Sequence, residues 1–189
     1  MKIVALLDAC VLYPAPIRDF LLNLAEAGLF KPKWTSKIHQ EWTRNLIAKR
    51  PDLKPERIKR TVELMDGAFP DALVEDYESG ITTVELPDPD DRHVLAAAIS
   101  SNVNYLVTSN LKDFPFEICL KHRIEPIHPD EFVLLLREAS PNAVYDSFIY
   151  LVKSLKKPPQ NMGQVLETLE KCGLEKSVQW LDGFDSITT

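Results

Sequence analysis

In the segment Lys2-Ile-Val-Ala-Leu-Leu-Asp8-Ala-Cys-Val-Leu-Tyr-Pro14, five apolar residues, Ile3 to Leu7, run without a charge and end on Asp8. A second apolar run, Ala9 to Tyr13, follows at once. An uninterrupted apolar run reads as a strand buried on both faces, the state of a strand inside a parallel sheet. An ionised carboxylate in such surroundings needs a hydrogen-bond donor, a charge partner or a metal. The crevice beyond the carboxyl ends of parallel strands is also where ligands bind in open α/β sheets. Asp8 therefore has two readings: a cap for the next turn, or the first residue of a site.

Outward from that strand the pattern alternates between helices and short strands. Pro14 and Pro16 prepare a helix whose apolar residues Ile17, Phe20, Leu21, Leu24 and Ala25 recur at helical spacing, with Gly28 at its end. Phe30 to Trp34 allows a short extended piece. Thr35 or Ser36 can cap a second helix carrying Ile38, Trp42 and Leu46 on one face. Glu41 lies in that helix, either paired with Lys37 or Arg44 or facing the end of the sheet. Glu56 to Asp66 is amphipathic, and Ile81 to Leu86 alternates in the manner of a short strand. Tyr105 to Thr108 and Ile124 to Ile127 read as further strands. After Pro129 the chain turns helical, with Asp130 placed to cap Glu131 to Arg137, and with Val144 to Leu155, Met162 to Cys172 and Leu174 to Leu181 beyond. The expected division is an α/β domain over residues 1–130 and a helical extension over residues 131–189.

Composition narrows the classes. A chain of 189 residues can hold one core of ordinary domain size and an appendage. Glycine is scarce at 6 residues, and neither a P-loop nor a dinucleotide-binding glycine motif is present. The net charge of -6 argues against a broad basic surface that wraps duplex nucleic acid. It leaves room for a nuclease, because an acidic metal site adds negative charge and a bound cation reverses it locally. Cys10, Cys119 and Cys172 have neither metal-ligand nor disulfide spacing, which suits free thiols in a reducing compartment. No signal segment or membrane span is evident, so the expectation is a cytoplasmic protein with no membrane association. Lys153, Lys156 and Lys157 form a modest basic patch that reads as a solvated helix end, with RNA contact as the alternative.

Carboxylates carry the chemistry. Leu86-Pro-Asp88-Pro-Asp-Asp91-Arg92-His93 leads into the apolar run Val94 to Ile99. Asp88 or Asp90 can cap that helix, and three carboxylates in four residues exceed what a cap requires. Val107-Thr108-Ser-Asn110-Leu-Lys-Asp113 again clusters polar groups after a strand, where a turn would also use Asn110 and Asp113. His93 has no second histidine or cysteine at ligand spacing and reads as a surface or hydrogen-bonded residue, not a metal ligand. If Asp8, Glu41, Asp91 and Asp113 converge, their repulsion calls for a cation. Hard oxygen donors suit Mg²⁺ or Mn²⁺, which can activate water and neutralise charge at a phosphodiester.

Four pieces, Leu7-Asp8-Ala-Cys-Val-Leu, Glu41-Trp42, Asp88-Pro-Asp-Asp91-Arg-His-Val-Leu-Ala-Ala-Ala and Val107-Thr-Ser-Asn110-Leu-Lys-Asp113-Phe, together resemble the PIN-domain family that includes VapC-type toxin ribonucleases. The resemblance covers about residues 1–130. It implies a three-layer α/β/α fold with a central parallel sheet, and the long tail resembles the helical extension of one subgroup. It places the family's acidic positions on Asp8, Glu41, Asp91 (with Asp90 the alternative register) and Asp113. Asp8, Asp91 and Asp113 would hold Mg²⁺ or Mn²⁺, and Glu41 would ligate through water or orient the attacking water. Thr108 and Asn110 would position water or a carboxylate. Arg92 would meet a substrate phosphate or pair with Asp88. The resemblance further implies metal-dependent cleavage of RNA, a small antitoxin that blocks the site, and a homodimer. The competing classes are a catalytically inactive PIN-fold protein-binding module and a metal-dependent DNA nuclease.

Overall fold

The structure is a computed structural model and describes residues 2–188, with side-chain surroundings through residue 184. Its centre is β1 (Val4–Leu7), in which Ala5, Leu6 and Leu7 are wholly buried. β1 pairs in parallel with β2 (Lys31–Lys33) on one side and β3 (Tyr105–Val107) on the other, and β4 (Glu125–Ile127) lies beyond β3. The sheet order is β2-β1-β3-β4, all parallel. A central strand covered on both faces has no solvent-facing residue to alternate with, which is why its sequence reads as one apolar run. The fold is thus the expected PIN-like α/β architecture: a parallel sheet flanked by helices, followed by C-terminal helices.

Both outer strands carry proline at their middle position, Pro32 and Pro126. The Lys31 amide donates to the Ile3 carbonyl and the Glu125 amide to the Asn104 carbonyl, so both point into the sheet. The alternation of a strand then aims the next position, the proline in each case, outward, where no ladder bond is lost.

Two compact units are distinguished. The first comprises residues up to Tyr13 together with Lys31–Ile127. It holds the sheet, α1 (Ala9–Leu12), α3 (Ser36–Lys49), α4 (Pro55–Ala68), α5 (Arg92–Ser100) and α6 (Phe116–Leu120). Thr35 caps α3 by accepting from the Ile38 amide at 3.0 Å. α5 packs on β1 and on a 3₁₀ segment, Glu78–Thr83. The strand expected over Ile81 to Leu86 is therefore absent, and the alternation there has another cause. Val84 and Leu86 are buried with Glu85 exposed between them, but no neighbouring strand offers a ladder. The segment lies close against α5 at Gly80, where an added Cβ would be in ordinary contact with that of Ala96 at 3.5 Å.

The second unit comprises Pro14–Phe30 and the residues from His128 onward. It contains α2 (Ala15–Glu26), α7 (Pro129–Ala139), α8 (Pro141–Ser154), α9 (Met162–Lys171) and α10 (Glu175–Thr188). Phe20 meets Phe148 edge-on at 6.2 Å, and Phe30 meets Phe132 at 5.0 Å. Asp130 does not cap its own helix, as the sequence suggested; the His128 ring accepts from the Asp130 amide instead. The Asp130 carboxylate is buried and accepts from the Lys176 amide at 3.0 Å, the Ser177 amide at 2.8 Å and the Ser177 hydroxyl at 2.6 Å. It caps α10 from 46 residues away, a role that local spacing does not reveal. Among the described residues, no helix is long and apolar enough to cross a membrane.

Replacing Asp130 with alanine should strip two amides and a hydroxyl of their acceptor and cost about 1–3 kcal/mol of stability. Urea denaturation reads the loss, and faster amide exchange at Lys176 and Ser177 locates it.

Candidate active site

The site begins where β1 stops. The Asp8 amide continues the ladder by donating to the Val107 carbonyl at 3.1 Å, so Asp8 sits beside the end of β3. The residue is 6% exposed, and both carboxylate oxygens accept hydrogen bonds. Oδ1 accepts from the Ala9 amide at 2.6 Å, while Oδ2 accepts from the Thr108 hydroxyl at 2.8 Å and the Cys10 thiol at 3.1 Å. Asp8 thus caps α1, and it stands at the joined carboxyl ends of two central strands, where a site residue would be placed. Burial pushes its pKa above the ordinary carboxylate value, the Cys10, Thr108 and Ala9 bonds pull it back, and the charge of Glu41 adds to the rise.

Thr108 is wholly buried and holds Asp8 directly, while its Oγ1 also accepts from the Asn110 amide at 3.1 Å. Asn110 therefore contributes its backbone here, and it lies exposed. Cys10 is a participant that sequence reasoning missed. Its sulfur accepts from the Ser109 amide at 3.3 Å and lies 3.4 Å from the Thr108 hydroxyl. Burial and the neighbouring Asp8 charge push the thiol up to about 12, so it remains a protonated donor. Its place two residues after a site aspartate was the available signal.

Asp91 arrives from a different direction. It occupies the N-cap position of α5, yet its side chain makes no capping bond. The capping is done one turn earlier by Asp88, which accepts from the Asp90 amide at 2.9 Å and so holds the 3₁₀ turn Pro89–Asp91. Asp91 is left half-buried and pushed up to about 6, first by burial and then by the charges of Asp8, Asp88 and Asp113, with His93 opposing. Asp90 is exposed and is not among the charges acting on Asp91. Asp113 closes the 3₁₀ turn Leu111–Asp113 that follows β3, and it too is half-buried.

Glu41 is brought in by α3, whose rotation is set by its buried aromatic face. Trp42 is buried, and its indole N–H donates to His39 Nδ1 at 2.9 Å. His39 Nε2 lies 3.3 Å from Asp66 of α4, which also accepts from the Trp34 indole at 2.9 Å. Glu41, one position before Trp42, pairs with neither Lys37 nor Arg44; its Oε1 lies 2.9 Å from Nε2 of His93. It also lines a groove of about 440 Å³ with Lys37, Gln40, Thr43, Arg44 and Ile47. Arg92 makes no ion pair with Asp88 among the described residues, and its Nε is buried without a hydrogen-bond partner.

The electrostatic couplings thus draw Asp8, Glu41, Asp88, Asp91 and Asp113 into one neighbourhood. Among the described residues, no three His, Cys, Asp or Glu side chains stand close enough together to ligate one ion. The donor set nevertheless fits a hard divalent cation in chemistry: it is all carboxylate oxygen, and the charges of Asp8, Asp88 and Asp113 raise the proton affinity of Asp91, an excess of negative charge that a cation offsets.

Comparison with known sequences gives matches over most of the chain. A family model described as "PIN domain" matches residues 4–112, and one described as "VapC50 C-terminal domain" matches residues 129–183. Asp8, Glu41 and Asp91 fall inside the first match and Asp113 directly after it. A Mycobacterium tuberculosis protein named "Putative ribonuclease VapC50" is 34% identical over 79 residues, covering 42% of this chain and 47% of that protein. The chain therefore spans about half the length of that relative. No solved structure matches it.

The raised Asp91 pKa makes a stability prediction for the metal-free protein. Between the unfolded carboxylate value and about 6, the folded state holds a proton that the unfolded state has released, so stability falls as pH rises through that window. Asp91→Asn should remove that cost and raise stability at pH 7 by about 1 kcal/mol, once solvent screening at this partly exposed group is allowed for. The gain should vanish near pH 4. Thermal melts in chelator across that pH range provide the check.

Proposed function

The chain belongs to the PIN-domain family, and from that premise we propose that it is a divalent-metal-dependent endoribonuclease, the toxin of a type II toxin–antitoxin pair. The observation that supports this reading is the raised pKa of Asp91, to which the charges of Asp8 and Asp113 contribute, so that carboxylates following β1 and β3 act on one at the start of α5. The match of residues 129–183 to the VapC50 C-terminal domain supports the toxin subgroup. The proposed division keeps the nuclease domain to residues 1–130 and the helical extension to residues 131–189.

Asp8, Asp91 and Asp113 would hold Mg²⁺ or Mn²⁺, which when bound lowers the pKa of water and offsets negative charge at the phosphate. The remaining work belongs to the chain. Thr108 and Cys10 keep Asp8 ionisable and fixed by donating to Oδ2. Glu41 orients the attacking water and accepts its proton. Lys37 and Arg44 line the groove beside Glu41 and meet backbone phosphates of the RNA, as does Arg92. With a net charge of -6, such local contacts suit a short single-stranded segment better than an enveloped duplex. A small antitoxin covering this acidic cluster, and self-association as a homodimer, complete the proposal.

Digestion of total RNA by the purified protein, with and without Mg²⁺ or Mn²⁺ and with the ends mapped, tests it. Asp8→Asn should lower metal-dependent cleavage roughly 100-fold or more. Full cleavage by Asp8→Asn would overturn the assignment of the site. Cleavage of single-stranded DNA alone would point to the DNA nuclease instead, and metal-independent binding without cleavage to the inactive module.

A further inference from the structure

His93 is a buried histidine that neither the fold nor the family's acidic pattern accounts for. It stands in the first turn of α5, two residues after Asp91, and is 1% exposed. Its Nε2 lies 2.9 Å from Oε1 of Glu41, a contact that crosses from α5 to α3. The contact is at ion-pair distance, and it is attractive when Nε2 bears a proton, since a carboxylate oxygen has none to donate. Nδ1 is buried and has no hydrogen-bond partner. The polar anchorage of the ring therefore rests on Glu41 alone, while its position rests on packing.

The two sides of this contact are unequal. The His93 side chain is 1% exposed, whereas that of Glu41 is 26% exposed. His93 is flanked by the buried Val94, Leu95 and Ala96 on a short helix that packs on β1. Glu41 is a long, partly solvated side chain with rotamers to spare, and water competes for it. Of the two, the imidazole is the fixed member and the carboxylate the one being fixed. The contact takes one Glu41 oxygen, and the other remains for the groove that Glu41 lines with Lys37 and Arg44.

We propose that His93 is a positioning residue: its Nε2 holds Glu41 through Oε1 in the one orientation in which that side chain lines the groove beside the carboxylate cluster. The inference rests on the nuclease reading for what Glu41 then does, but the clamp itself does not. It also gives the -Asp91-Arg-His93- spacing a reason. Asp91 and His93 leave the same helix start, so one element places a carboxylate in the cluster and holds a second carboxylate contributed by another helix.

The test uses the full chain as wild type, His93→Leu, His93→Gln, Glu41→Ala and the Glu41→Ala/His93→Leu double variant, with folding checked by thermal melts. Gln places an amide N–H near the position of Nε2, whereas Leu fills the space without a donor. On an oligoribonucleotide spanning a mapped cleavage site, at fixed Mn²⁺, His93→Leu should lower kcat roughly 10- to 100-fold with KM little changed. His93→Gln should recover most of that loss, and His93→Leu should add nothing in the Glu41→Ala background. Equal kcat for folded His93→Leu and wild type, or multiplicative losses in the double variant, would overturn the proposal. A second readout needs no catalysis. Nitrogen-15 NMR of the histidine side chains should show an exchange-protected His93 Nε2–H that disappears in Glu41→Ala, and its persistence there would refute the clamp. Should the wild type cleave no RNA, the function proposed above fails, while this spectrum still decides for or against the clamp.

Discussion

An aspartate with 6% exposure must find its hydrogen bonds inside the protein, and at Asp8 that requirement fixes much of what surrounds it. The Thr108 hydroxyl can reach Asp8 only because β1 and β3 pair with Leu7 opposite Val107, which sets the next residues side by side. A slip of one residue would turn Thr108 to the other face of the sheet. The alternative would leave a buried charge with one fewer donor, at a cost of about 1–3 kcal/mol. The polar bond at the strand ends and the apolar burial along the strands therefore select the same register. α1 is drawn into this arrangement as well, since the Ala9 amide and the Cys10 thiol supply the other donors.

Much of this architecture can be read from the sequence, for identifiable reasons. Central strands without a solvent face announce themselves as apolar runs, and β1 and β3 lie where those runs fall, while the outer strand β4 lies within the expected Ile124 to Ile127. Helices with caps or prolines at their starts are equally plain: Thr35 heads α3, and Pro55, Pro129 and Pro141 open α4, α7 and α8. Ile81 to Leu86 misleads because alternating burial requires a surface to lie against, not a strand to pair with, and α5 supplies that surface. Of the candidate carboxylates, Asp8 and Asp113 are legible as charges at or just beyond the ends of apolar strands, and Asp91 as an acid at a helix start. Their helpers are not, because those contacts depend on how distant elements meet. Glu41 and His93 are far apart in sequence, and local spacing favoured Lys37 or Arg44. The same holds for Asp130, whose obvious local role goes to His128, and for α2, which shares a compact unit with helices more than a hundred residues later.

The acidic cluster and the stability of the fold pull in opposite directions. Asp91 has no capping bond, sits among like charges, and is held up to about 6 by burial and by Asp8, Asp88 and Asp113. Nothing in the packing of α5 requires an acid there, since Asp88 already holds the turn before it. A neutral residue would fill this position at lower free energy in the metal-free protein, so the carboxylate there is a cost to the fold that packing does not explain.

The prolines at the centres of the two outer strands bear on how this molecule can meet copies of itself. A parallel sheet with both edges open would offer rows of amides and carbonyls to any extended chain. Here the outward amide at the middle of each edge is replaced by a proline ring, and on β2 the proline is flanked by Lys31 and Lys33. A ladder added at either side would lack its central bond, and on one side it would also have to accommodate two ammonium groups. Sheet extension, the route by which short strands recruit one another into aggregates, is thereby closed at both ends.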